Sequence, residues 1–174
     1  MKAQHFTLRC PRKGHPIMHS SEVEILLVED NPRDAELTQR ALKEHRLANR
    51  LVHVKDGQEA LDWLFRRDPD SQADFSHSPR VVLLDLKLPK VDGLDVLRAI
   101  RADDRTRLIP VVVLTSSRQE SDVIESYQLG VNSYIVKPVD FDNFASAVAK
   151  VGHYWLLINQ GPAMMEIGPK PGGQ

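Results

Sequence analysis

The 174-residue sequence predicts an α/β fold, a parallel sheet with helices on both of its faces. Two observations carry this. Short apolar runs alternate five times with amphipathic stretches, the pattern of repeated strand–helix units. The runs are dense in Val, Leu and Ile and hardly alternate with polar residues, as strands covered on both faces do. Right-handed crossovers between such strands then distribute the helices over the two faces, which makes the sheet doubly wound.

Each element has its own signal. Residues 23–28 (VEILLV) read as the first strand, closed by Glu29 and Asp30. Asn31 suits a helix N-cap and Pro32 the first helical turn. Leu37, Ala41 and Leu42 then recur at helical spacing to about His45. Leu51–Val54 is a second strand. Asp56 and Glu59 have capping-box spacing before the apolar face of Leu61, Leu64 and Phe65. Residues 67–79 are a long polar loop. Val81–Leu84 is the third strand, ending at Asp85, and Leu94, Leu97 and Ile100 mark the helix after it. Residues 109–114 form the fourth strand, ending at Thr115. Ser117 and Glu120 give a second capping-box spacing, ahead of Val123, Ile124 and Tyr127. Residues 134–136 are the fifth strand, ending at Lys137 and Pro138. Asp140 caps a long last helix with Phe144, Val148, Val151 and Trp155 on one stripe.

Composition narrows the function classes. The formal net charge of −1 averages a basic start and an acidic centre. Residues 1–17 contain Lys2, Arg9, Arg12 and Lys13 and no acid, whereas residues 22–158 hold 18 basic and 23 acidic side chains. That balance speaks against a bulk nucleic-acid or membrane-surface binder. The sequence has no apolar run of membrane-spanning length, no signal-peptide pattern and one cysteine, so a cytoplasmic location is expected. The expected organisation is a flexible leader over 1–21, a working domain over 22–158 and a flexible Gly/Pro-rich tail over 159–174. Cys10, His15 and His19 lack the regular spacing of a metal site and are read as part of the leader.

The chemistry is written where the strands stop. In open parallel sheets, ligands bind beyond the carboxyl ends of the strands. Those ends carry Glu29 and Asp30, then Asp85, then Thr115 and Ser116, then Lys137. If the strands share one sheet, carboxylates, a hydroxyl and an ammonium converge on one edge. Clustered carboxylates repel one another unless a cation or proton intervenes. An all-oxygen donor set without neighbouring His or Cys favours Mg²⁺. A lysine and a hydroxyl beside it suit phosphoryl oxygens, and an aspartate can itself accept a phosphoryl group. Any one of these residues alone has an ordinary reading as a cap, a turn or a solvated charge; their joint occurrence at successive strand ends is what points to phosphoryl chemistry.

This arrangement resembles the receiver domain of two-component response regulators. The resemblance rests on Glu29-Asp30, on the acceptor segment 85–89 (DLKLP) with Gly93 following, on Thr115-Ser116 and on Lys137-Pro138, in order and spacing across 22–150. It implies a flavodoxin-like sheet of strand order 2-1-3-4-5 with five helices. It implies that Asp85 accepts a phosphoryl group from a partner histidine kinase. Asp30, Asp85 and the backbone carbonyl of Lys87 would ligate Mg²⁺, with Glu29 acting through water. Lys137 and Thr115 would bind phosphoryl oxygens, and Tyr134 would be the aromatic switch residue that follows Thr115. Pro89 and Gly93 would shape the acceptor loop. Lys87 and Ser117 occupy the positions two beyond the acceptor and two beyond Thr115. The long 67–79 loop and the apolar end of the last helix resemble the small single-domain regulators of phytochrome-type histidine kinases.

On this reading the chain is a switch and not an enzyme that turns over a separate substrate. No helix-turn-helix pattern follows the domain, so the expected output is a protein contact and not DNA. The run 154–158 (YWLLI) is too apolar for one buried stripe, which predicts a homodimer through the last helix, together with the face made by the fourth strand, fourth helix and fifth strand. Two other classes compete. An aspartate-nucleophile phosphatase of the haloacid-dehalogenase type would place a second Asp two positions after the nucleophile on the first strand, which Glu29-Asp30-Asn31-Pro32 does not. A nucleotide- or flavin-binding module would carry a glycine-rich loop after the first strand, and none is present.

Overall fold

The structure is a computed structural model that describes residues 25–47, 50–65, 78–137 and 140–159. The elements follow in strict alternation: β1 (Ile25–Val28), α1 (Pro32–Glu44), β2 (Leu51–Val54), α2 (Gly57–Leu64), β3 (Val81–Leu84), α3 (Gly93–Ala102), β4 (Val111–Thr115), α4 (Glu120–Gln128), β5 (Ser133–Val136) and α5 (Phe141–His153). The strands form one parallel sheet in the order β2-β1-β3-β4-β5, the doubly wound order implied by the resemblance.

Strand periodicity divides the core. Leu26 and Val28 of β1 point to one face with Val82 and Leu84 of β3, while Ile25 and Leu27 point to the other with Val81 and Leu83. The first face is packed by Ala60 of α2 and by Val96, Leu97 and Ile100 of α3. The second is packed by Ala35, Ala41 and Leu42 of α1 and by Phe144 and Val148 of α5. Both faces of the central strands are therefore dry, which is why their sequences show no alternation.

Helix starts follow the local chemistry with one exception. Asn31 caps α1 by accepting from the amides of Arg33 and Asp34, and Pro32 occupies the first turn. Asp56 caps α2 through the Glu59 amide; the reciprocal Glu59 carboxylate reaches one residue further back, to the Lys55 amide. Asp92 and Asp140 cap α3 and α5. The expected capping box of Ser117 and Glu120 is not formed. Gln119 is the N-cap of α4, without a side-chain bond; the Ser117 oxygen accepts from the Gln119 amide at 3.4 Å, ahead of the helix, while its hydroxyl donates to Asp122 at 2.6 Å.

Three further expectations are corrected. β4 begins at Val111, two residues later than expected, after the Ile109-Pro110 turn, and β5 begins one residue earlier, at Ser133. The last helix does not continue as regular α-helix: α5 ends at His153 and passes into a π-helical turn, Tyr154–Ile158. That turn buries Leu156 against the α1–α5 core and leaves Tyr154, Leu157 and Ile158 exposed. The expected leader, residues 67–77 of the long loop, Pro138 and all of the expected tail except Asn159 lie outside the described residues.

Candidate functional site

The site is assembled at the carboxyl edge of the sheet. Register places the ends of β1 and β3 side by side: Val28 pairs with Leu84, and the Asp85 amide donates to the Val28 carbonyl at 3.0 Å. Glu29, one residue past β1, donates its amide to Val54 of β2 at 3.1 Å. These backbone bonds place the three acids together. Glu29, Asp30 and Asp85 each bring a carboxylate oxygen into a group spanning no more than 4.8 Å. Glu29 and Asp85 are buried, whereas Asp30 is exposed and opens the group to solvent.

Lys137 reaches into the same place from the end of β5. Its ammonium donates to Glu29 Oε2 at 2.6 Å, to Asp85 Oδ2 at 2.7 Å and to Asp34 Oδ2 at 2.9 Å. Its backbone amide is held by the Thr115 carbonyl at 2.7 Å. Burial works against the Lys137 charge, but the hydrogen bonds and charges of Asp85, Glu29 and Asp34 outweigh it and hold its pKa above the ordinary lysine value. Burial pushes the Glu29 carboxyl the other way, from an ordinary 4.5 up to about 7, against the pull of Lys137. The cluster thus holds more negative charge than one ammonium can balance.

The loop after β3, which starts with Asp85, is fixed by close packing. A Cβ at residue 93 would lie 2.2 Å from the Asp85 carbonyl oxygen, so only glycine lets α3 start there. A Cβ at residue 57 would meet the Val91 carbonyl at 2.1 Å, which brings the start of α2 equally close to the loop. Lys90 adopts a left-handed φ of 65°, and its ammonium is tied to the buried Asp56 at 2.5 Å. The Lys87 amide donates to Asp85 Oδ1 at 3.2 Å, restraining the carboxylate from the side opposite Lys137.

Thr115 is fully buried at the end of β4, its hydroxyl accepting from the Ser117 amide at 3.2 Å. Tyr134 is partly buried, packs beside the α3 core and donates its hydroxyl to the Ser117 carbonyl at 3.2 Å. Burial and the nearby Asp122 charge raise the Tyr134 pKa. Ser117 and Lys87 both bond the Asp122 carboxylate, and the Ser117 hydroxyl holds it below the usual aspartate range.

The structure therefore brings together Glu29, Asp30, Asp85 and Lys137, with the Lys87 amide bonded to Asp85. Thr115 and Tyr134 stand at the adjoining strand ends, bonded to Ser117. Asp34 and Asp122 were not foreseen. Both are acids in the first turn of a helix, a position that favours acids for the helix dipole alone, so neither carries a sequence signal beyond that. His53 was also missed: its Nε2 donates to the Glu29 carbonyl at 2.8 Å and steadies the backbone of the acidic pair.

The chain matches the family model described as the response regulator receiver domain over residues 25–149. It belongs to the response regulator receiver family. The response regulator Rcp1 of Synechocystis sp. is 40% identical over 134 residues, covering 76% of this chain and 88% of that protein. The Mn²⁺-bound structure of Rcp1 superposes with a TM-score of 0.72 at 38% identity, covering 81% of this chain and 99% of that one. The phosphorylated cyanobacterial phytochrome response regulator RcpA gives a TM-score of 0.72 at 36% identity, covering 82% and 100%. The bacteriophytochrome response regulator AtBRR is 51% identical with a TM-score of 0.60, covering 80% and 99%. The receiver is thus a signalling module with a flavodoxin-like sheet, and its relatives include phytochrome-associated regulators. Among the described residues no helix is long and apolar enough to cross a membrane.

Proposed function

We propose that this receiver accepts a phosphoryl group on Asp85 from a histidine kinase, with Mg²⁺ at Glu29, Asp30 and Asp85. The observation that carries the proposal is the convergence of three carboxylates within 4.8 Å with a lysine ammonium bonded to two of them. Carboxylate oxygens are hard donors, and the excess negative charge suits a hard divalent cation, so the residues fit Mg²⁺. Asp30 and Asp85 would hold it directly with the Lys87 carbonyl, and Glu29 through water. The ion's contribution would be to neutralise charge between the acceptor and the incoming phosphoryl group.

In the transfer, one Asp85 carboxylate oxygen forms the new O–P bond as the P–N bond of the kinase phosphohistidine breaks. The imidazole nitrogen leaves with the electron pair of that bond. The Lys87 amide and Lys137 restrain the two Asp85 oxygens beforehand, so little reorganisation is needed. Lys137 remains an ammonium throughout and is free to exchange a carboxylate for a phosphoryl oxygen. Thr115 supplies a hydroxyl to a second oxygen on giving up the Ser117 amide, and Tyr134 follows it as the packing readout. The protein's own chemistry is self-phosphorylation and loss of the phosphoryl group, with no separate substrate turned over.

The names and identities of the relatives support a phytochrome-type kinase as the partner. The exposed Tyr154, Leu157 and Ile158 on the π-helical turn support a homodimer through the last helix, and sedimentation as a strict monomer with and without a phosphoryl mimic would refute it. The acidic balance of residues 22–158 supports a protein output, with neither DNA nor membrane as direct partner. The composition of the sequence supports 22–158 as the working domain.

The deciding experiment is labelling with acetyl phosphate and Mg²⁺, and with phosphorylated candidate kinases. Asp85→Asn abolishes labelling if Asp85 is the acceptor. Undiminished stoichiometric labelling of that variant overturns the assignment.

A further inference from the structure

α4 is held to the domain by charge. Its buried side chains are Asp122 and Ser126, while Ile124 and Tyr127 are half or more exposed, at 50% and 56%. The Asp122 carboxylate needs partners there, and two loops supply them. From the loop after β4, the Ser117 hydroxyl donates at 2.6 Å. From the acceptor loop after β3, the Lys87 ammonium lies at 3.3 Å. Lys87 therefore touches the acceptor with its backbone, at Asp85 Oδ1, and α4 with its side chain. Ser117 in turn bonds Thr115 through its amide and Tyr134 through its carbonyl.

One helical turn after Asp122, the Ser126 hydroxyl is completely buried and has no hydrogen-bond partner among the described residues. An unsatisfied buried hydroxyl is costly and adds nothing to the hold on α4. Its tie to the two loops at the site comes from Asp122.

We propose that Asp122 is a positioning residue that latches α4 to the acceptor loop through Lys87 while Asp85 is free of phosphoryl. This rests on the reading of Asp85 as acceptor. A phosphoryl dianion on Asp85 competes with the single charge of Asp122 for the Lys87 ammonium. Once Lys87 turns to it, Asp122 keeps the Ser117 bond and α4 loses its tie to the acceptor loop. Linkage makes the effect reciprocal: a latch that favours the free acceptor weakens phosphoryl binding by the same factor.

The test is titration of the whole protein with beryllofluoride in saturating Mg²⁺, followed by calorimetry. Asp122→Asn keeps an oxygen for Ser117 but removes the charge that holds Lys87, and it binds about fivefold more tightly than the parent. In a Lys87→Met background the same substitution changes affinity by less than about twofold, because there is no ammonium to release. Lys87 is half exposed, so that background folds. An equal shift in both backgrounds overturns the Lys87 route and with it the latch. Unchanged or weaker binding by Asp122→Asn, with normal binding by the parent, overturns the latch alone. Absence of binding by the parent overturns the acceptor reading as well.

Discussion

Helices α3 and α4 lie side by side and share the Arg98–Glu125 ion pair, yet they meet the domain in different ways. α3 buries Leu94, Val96, Leu97 and Ile100, each less than a tenth exposed, in the larger apolar cluster. α4 buries an aspartate and a serine and turns apolar side chains outward. Apolar contact is non-directional and tolerates no charge, so it fixes α3 as scaffold. A buried carboxylate is directional and depends on its partners, so α4 responds when charge at the site changes. The contrast explains how one domain is both rigid enough to hold three carboxylates together and able to report on them.

The largest expected effect tests the scaffold. Leu97→Ala or Ile100→Ala leaves a cavity between α3 and the sheet and costs about 2–5 kcal/mol in urea unfolding. A cost below about 1 kcal/mol would show that α3 is as loosely held as α4. Next is Arg101, the residue of α3 that reaches across to the turn after α4. Its guanidinium donates to the carbonyls of Gly130, Arg107 and Ile109 and to Asn132 Oδ1. Arg101→Met leaves those acceptors without their cation and lowers stability by about 2 kcal/mol in the same measurement.

The third prediction applies the contrast to the site, where polar groups are again buried against charge. The Glu29 carboxyl titrates near 7 when folded and, unfolded, near its ordinary 4.5. The folded protein therefore binds the extra proton between those values. Stability from this group is fully present below about 4.5 and is lost as pH rises through about 7. In metal-free protein the urea midpoint should fall over that window, and Glu29→Gln should flatten the fall. Divalent-ion affinity should move oppositely, weakening as pH drops below about 7, since the cation needs the ionised form. The smallest effect is at the outer face of α4: Ile124→Ala and Tyr127→Ala should change stability by no more than about 0.5 kcal/mol. A large loss there would mean that the face is covered by a partner in solution.

Much of this was legible in the sequence. Leu51–Val54 and Val81–Leu84 were read with their observed bounds, because an apolar run bounded by polar residues is a local signal. Glu29, Asp30, Asp85, Thr115 and Lys137 were legible because each stands where such a run stops. Asp34 was not: it is 103 positions from Lys137, and nothing local distinguishes it from an ordinary first-turn acid. The Ser117–Glu120 spacing was misleading for a related reason. It matches a capping box, but the Ser117 oxygen accepts from the Gln119 amide and its hydroxyl donates to Asp122, and the chain enters α4 two residues later than Ser117 would have allowed.

By itself the sequence determined the strand–helix alternation, the dry central strands and the identity of the polar group at each strand end, because these follow from periodicity and composition within a few residues. Tertiary structure alone decided which carboxylates share Lys137, why burial raises Glu29, and that Lys87 and Ser117 meet on Asp122. Those facts depend on distances between segments far apart in the chain, and electrostatic energy depends on distance and burial, neither of which local sequence carries.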